Sequence, residues 1–96
     1  MNTDFKVNES LKDACADSLD ALRKLKDDTF GEINSKLEYV IGSYEFDKNP
    51  VGLHEIGQNA LDIMKKFKEQ NPRKLSKKVI DKMEKSISKY EKVLAS

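Results

Sequence analysis

Apolar residues recur three or four positions apart along most of this sequence, and that spacing constrains the fold more than any other feature. Such a period places side chains on one face of an α-helix. Four segments show it, and they predict helices over residues 9–27, 29–45, 50–70 and 76–94. Strand-forming residues never alternate with polar ones over a useful length, so the sequence predicts no sheet.

The four apolar faces also predict how the helices assemble. None of these faces is stable in water, and the short connections favour packing of each helix against the next. The 96 residues are the size of one domain. We therefore predict an all-α fold, a single antiparallel four-helix bundle with short connections, preceded by a flexible N-terminal arm over residues 1–8. Residues expected to face inward include Leu37, Ile56, Phe67, Ile87 and Leu94.

Polar and turn-forming residues mark the predicted helix ends. Thr29 and Glu32 have the spacing of a capping box. Asn49, followed by a proline, and Ser76 are expected to begin the third and fourth helices. Gly42 leaves the end of the second helix open, because a helix can stop there or continue toward Phe46.

Charge is divided unevenly along the chain. Residues 1–64 carry 7 basic and 13 acidic residues, a net of −6, whereas residues 65–96 carry 11 and 4, a net of +7. One face of the last predicted helix holds five lysines, Lys78, Lys82, Lys85, Lys89 and Lys92. A solvated surface is the first interpretation of this face. Binding of nucleic acid or another anion there is the alternative.

The cysteine content and the length of the apolar runs indicate the cellular compartment of the protein. Cys15 is the only cysteine, so no intramolecular disulfide forms. No uninterrupted apolar run exceeds three residues, which is far short of a membrane span. No basic leader with an apolar segment opens the sequence. We expect a cytoplasmic protein that does not enter a membrane.

The segment 44–57 contains turn-forming residues that resemble part of a calcium-binding loop. Asp47, Asn49 and Gly52 match three positions of that loop. Val51 and Gln58 stand where an oxygen ligand and the closing glutamate are required. We therefore predict no metal, and we interpret the segment as a hinge between the second and third helices.

Two residues are candidates for chemistry. His54 is the only histidine and hence the one candidate phosphoryl acceptor or general base. Histidine phosphotransfer domains are four-helix bundles of about this size, but in that family a basic residue and then a glycine follow the acceptor at helical spacings. Here Glu55, Ile56, Gly57 and Gln58 follow His54, and the basic residue is missing. Cys15 lies on the inner face of the first helix between Asp13 and Asp17, which disfavours a thiolate. We predict no catalytic residue and no cofactor, with phosphotransfer at His54 as a second alternative.

Two further residues depart from the helical pattern and suggest a function. Tyr39 points away from the second apolar face, and Leu61 leaves the third one beside His54. If these side chains cluster in the fold, they form a small docking patch, and tyrosine is enriched in such anchors. The sequence therefore predicts a non-catalytic protein–protein interaction module that binds an unidentified protein partner through Tyr39, Leu61 and His54, either as a monomer or as a homodimer.

Overall fold

Four helices account for most of the chain. The structure is a computed structural model that describes the backbone of residues 4–95 and the side chains of residues 5–95. The helices are α1 (Asp4–Lys24), α2 (Gly31–Asp47), α3 (Val51–Gln70) and α4 (Lys77–Ala95), and a 3₁₀ turn (Asp28–Phe30) precedes α2. The described part of the chain contains no strand. The predicted all-α four-helix fold is confirmed.

Neighbouring helices run in opposite directions. The Ser86 hydroxyl on α4 donates to the Ser10 carbonyl on α1, and Lys82 pairs with Asp17, so the contacts descend along α4 as they ascend along α1. The same reversal is seen between α1 and α2 (Glu9 with Tyr44, Arg23 with Glu38), and between α3 and α4 (His54 with Glu91, Lys65 with Glu84). Short connections between amphipathic helices produce this arrangement.

The centre of the bundle lies where α1 approaches α3 across the diagonal. Gly57 of α3 faces Cys15 of α1 and Met83 of α4 at this point. A Cβ atom built at Gly57 would lie 3.3 Å from Met83 Sδ and 3.5 Å from Cys15 Sγ. The glycine therefore permits a helix approach that a larger residue would prevent. Residues with no exposed surface surround this contact, among them Leu11, Leu22, Leu37, Leu53, Met64 and Tyr44.

The first helix differs from its predicted bounds. It begins at Asp4 rather than residue 9, so the predicted flexible arm is wrong for residues 4–8, which are helical. Val7 is partly buried against the core, because it continues the apolar face that includes Leu11. Residues 1–3 of the predicted arm lie outside the described residues. The helix ends at Lys24, three residues before the predicted end.

The helix ends show which caps form. The capping box predicted at Thr29 and Glu32 is wrong: Asp27 Oδ1 accepts a 2.9 Å hydrogen bond from the Thr29 amide, because a 3₁₀ turn stands before α2. The Ser76 prediction is confirmed, since its hydroxyl oxygen accepts from the Lys78 amide at 3.1 Å. Asn49 Oδ1 accepts from the amide of the first α3 residue at 3.1 Å.

Gly42 does not end α2. The helix continues to Asp47 and stops at Lys48, which has a left-handed φ of 60°. The Lys48 amide donates to the Tyr44 carbonyl at 2.6 Å, which closes the helix end. The connection to α3 is therefore only residues 48–50 long. The wider hinge predicted up to Gly57 is wrong, because Gly57 lies inside α3.

Burial largely follows the predicted inner faces. Leu37 and Ile87 are buried, and Ile56 and Phe67 are partly buried at the edge of the core. Leu94 is the exception, because 64% of its surface is exposed near the end of α4. None of the helices, over the described residues, is long and apolar enough to cross a bilayer.

Candidate interaction site

A narrow stripe on the side of α2 that points away from the core carries no charge. The sequence places five residues on this side at spacings of three and four, namely Ser35, Tyr39, Gly42, Ser43 and Phe46, which we call the α2 outer face. All five are exposed. In a chain whose residues are 36% charged, an uncharged exposed face of this length is unusual.

Large apolar side chains dominate the α2 outer face. Tyr39 is 75% exposed and Phe46 is 92% exposed. Val51, which follows the short connection at the start of α3, is 62% exposed. Single exposed apolar residues are ordinary, but several within one turn-helix segment indicate an interaction surface. Gly42 and Ser43 lie between the two aromatics, so the helix backbone is accessible there to a close neighbour.

A groove between α2 and α3 adjoins this face. It has a volume of about 440 Å³, and its walls include Tyr39, Val40, Gly52 and Ile56. Gly52 brings the two helices close together, because a Cβ atom there would lie 3.1 Å from Val40 Cγ1. Lys36 and Glu55 also line the groove. The α2 outer face therefore has an apolar hollow along one edge.

On one flank of this face the charged groups lie at its two ends, and Glu38 and Glu45 lie on the other flank. Lys36 Nζ pairs with Glu32 Oε2 at 3.1 Å in the first half of α2. Asp47 ends the helix, and its Oδ1 accepts a hydrogen bond from the Asn49 amide at 2.9 Å. Lys36 and Asp47 are eleven residues apart, which is close to three full turns, so they lie on the same flank of the helix.

The predicted partner-binding residues are not brought together. His54 lies on the side of α3 that faces α4, where Nε2 is 2.9 Å from Glu91 Oε2. Leu61 is partly buried against the core on that side of α3. It is five residues, or about 140° around the helix, from Ile56 in the groove. Tyr39 is thus separated from His54 and Leu61, and the three do not form one patch.

The surroundings of His54 are those of a structural contact between α3 and α4. The Gln58 side-chain amide donates at 3.0 Å to the same Glu91 oxygen that contacts the imidazole. The ring of His54 also lies 4.9 Å from the ring of Tyr90, measured between centroids. The Glu91 carboxylate therefore holds both residues of α3 against the last turns of α4.

The five predicted anion-binding lysines are exposed on α4. Four of them, Lys78, Lys82, Lys85 and Lys89, line a groove between α1 and α4. Asp13 and Asp81 line the same groove, and Lys82 Nζ is 2.6 Å from Asp17 Oδ2. Lys92 lies one turn beyond this group. The structure brings the lysines together and also places carboxylates among them.

The remaining reactive groups have structural partners. Cys15 is buried, and burial raises the pKa of its thiol to about 12. Its Sγ lies 3.6 Å from the Leu53 carbonyl oxygen, to which it donates. The Tyr44 hydroxyl donates at 2.7 Å to Glu9 Oε2, and this hydrogen bond is the main reason that the pKa of Glu9 is lowered. Over residues 5–95, no group of three or more metal-ligating side chains is present.

Comparison with known proteins adds no relative. The sequence matches no protein-family model, and neither a curated protein nor a solved structure is significantly similar to it.

The candidate surface contains Tyr39, which the sequence analysis predicted, and further residues that it did not predict, namely Ser35, Gly42, Ser43, Phe46 and Val51. The missed signal was the absence of charge at spacings of three and four on the outer side of the second helix. It was obscured because Gly42 left the end of that helix open, and Phe46 belongs to the face only if the helix continues through residue 46.

Proposed function

We propose that this chain is a non-catalytic protein-interaction module whose docking surface is the α2 outer face together with Val51. The observation that supports this most directly is the exposure of Tyr39 and Phe46, two turns apart on an uncharged helix face. Aromatic side chains are common anchors of protein interfaces. Burial of exposed apolar surface by a partner is also the dominant favourable term in association.

The absence of a catalytic role is part of this proposal. A nucleophile needs an activating base within reach. The one cysteine is buried with a raised pKa, and the one histidine contacts Glu91. The Glu91 contact counts against phosphotransfer at His54 Nε2, because a phosphoryl group arriving at that nitrogen would displace the carboxylate and meet its negative charge.

The test of the proposed function is affinity capture from the source cells with the tagged protein and the Tyr39→Ala, Phe46→Ala double variant. We expect the double variant to lose most captured protein, because both anchors are removed while the core is untouched. The matched control is Phe5→Ala with Leu94→Ala, two exposed apolar residues outside the face. It should retain the captured set. A set that the double variant retains would reject the proposal, and so would an empty set from a protein that also does not self-associate.

Anion binding in the groove between α1 and α4 is the second candidate. Lys78, Lys85 and Lys89 support it, because these three side chains line the groove without forming an ion pair within residues 5–95. Asp13 and Asp81 in the same groove weaken the attraction. A surface of mixed sign attracts a nucleic acid less than a uniformly basic one.

Titration of labelled duplex and single-stranded DNA tests this candidate. Three lysines that contact phosphates would give a slope of about −3 for log K against log salt. Affinity should then fall about a hundredfold between roughly 25 mM and 150 mM salt. We expect no saturable binding at the higher salt. Binding that persists there, and that Lys85→Glu with Lys89→Glu abolishes, would favour anion binding over the docking surface.

A further inference from the structure

The α2 outer face is complementary to a second copy of itself in an antiparallel arrangement. In two antiparallel helices related by a two-fold axis, residues whose numbers have a constant sum lie opposite one another. A sum of 85 places Tyr39 of one copy opposite Phe46 of the other. The same sum places Gly42 opposite Ser43, next to the axis. Large side chains thus meet large ones, and small residues meet where the two backbones cross.

The charges beside the face fit the same register. A two-fold axis that lies between antiparallel helices keeps each flank of one helix against the same flank of the other. Lys36 and Asp47 share a flank, and their numbers sum to 83, two less than the register sum. Each Lys36 therefore lies about 3 Å along the helix axis from the level of an Asp47 of the second copy, within reach of the long lysine side chain. Among the described residues of one copy, Lys36 pairs only with Glu32, an exposed pair in which 81% of the Glu32 side chain is accessible. Such an exposed pair exchanges easily for another.

The opposite flank carries like charges that are already paired. Glu38 and Glu45 also have numbers that sum to 83, so they approach each other across the axis. Glu38 pairs with Arg23, and Glu45 Oε2 is 3.7 Å from Lys12 Nζ. Because each carboxylate has a cation from α1 beside it, repulsion between the two copies is reduced.

Taken together, we propose that the α2 outer face binds a second copy of this chain, with two α2 helices packed antiparallel about a two-fold axis at Gly42 and Ser43. The proposal rests on the docking function of this face and names its partner. A uniformly basic helix fits only the flank that carries Glu38 and Glu45, because the other flank carries one cation and one anion rather than a single sign.

The affinity follows from the size of the contact. A single helix pair extended by Val51 lies at the small end of specific protein interfaces. We expect a dissociation constant on the order of 10 µM. The chain is then a monomer at low concentration and a dimer at high concentration.

Sedimentation equilibrium between about 1 µM and 500 µM tests the dimer and its register. The unaltered chain should shift from monomer to dimer mass. Tyr39→Lys and Phe46→Glu should each weaken association at least about thirtyfold, because each places a charge opposite an aromatic ring. The double variant with both substitutions should recover association, since the introduced ammonium group of each copy then faces the introduced carboxylate of the other. Phe5→Glu, the same substitution at another exposed phenylalanine, should have no effect.

Three results would overturn the inference. They are a monomer throughout the concentration range, a dimer that neither single variant weakens, and a double variant that associates no better than the single ones. Circular dichroism of each variant confirms that the helices are intact. A monomer whose captured proteins are still lost on Tyr39→Ala with Phe46→Ala rejects the second copy as partner but keeps the docking function. A dimer that captures nothing else restricts the docking function to self-association.

Discussion

Leu37→Ala should lower the free energy of unfolding by about 3 to 4 kcal/mol. Leu37 has no exposed surface and belongs to the buried cluster that joins the helices. Removing its side chain loses the transfer free energy of three carbons and leaves a cavity that the surrounding helices fill only in part. A domain of this size has a total stability of roughly 5 to 15 kcal/mol, so the loss is a large share of it. Urea unfolding followed by circular dichroism measures the difference.

Leu94→Ala is the matched control for this substitution. The side-chain atoms removed are the same, but 64% of Leu94 is exposed. We expect a change within about 0.5 kcal/mol. The sequence pattern predicted that both leucines are buried, whereas the structure buries only Leu37. The two measurements therefore show which description of Leu94 is correct. Equal losses at the two positions would contradict the burial described for Leu94.

The number of helices and their inner faces followed from the sequence because each helix buries a face that repeats with the helical period. Many residues together establish that periodicity. The wrong placement of one residue, Leu94, therefore did not change the predicted fold. The start of the first helix was harder to predict from the sequence. Val7 continues the apolar face of Leu11, but it is only partly buried, and a half-buried position gives a weak signal.

The candidate site was harder to predict because it depends on which neighbour covers each flank of a helix. A helical wheel gives the angle of a side chain but not the position of the next helix. His54 and Leu61 left the apolar face of α3 by a similar angle, and α4 lies on that side. Tyr39 left the apolar face of α2 at the outer edge of the groove with α3, and 75% of its surface stays exposed.

Gly57 shows the same limit for the core. Its sequence context, near a proline and another glycine, suggested a turn residue. Its role emerges only when α1 and α4 are in place, since the atoms that limit it belong to Cys15 and Met83. Contacts between residues far apart in sequence cannot be predicted from the spacing of residue types within one segment.

Gly57→Leu should lower the free energy of unfolding by about 3 kcal/mol, or prevent folding. The new side chain would begin 3.3 Å from Met83 Sδ and 3.5 Å from Cys15 Sγ, within the buried core. Relief requires α1 or α4 to move away from α3, and that movement would open the core around them. Thermal and urea unfolding measure the loss, and weaker helical circular dichroism at ordinary temperature would indicate failure to fold.

Gly31→Leu is the control that separates crowding from other effects of replacing a glycine. Gly31 is helical and exposed, and no atom lies within 4 Å of a Cβ built there. Leucine also has a better helix propensity than glycine, so stability should be unchanged or rise by up to about 1 kcal/mol. The same propensity gain is present at Gly57 and opposes the crowding there. A stable Gly57→Leu protein would therefore mean that α1 and α3 are further apart than described, whereas a loss confined to Gly57 ties the stability of the bundle to their close contact.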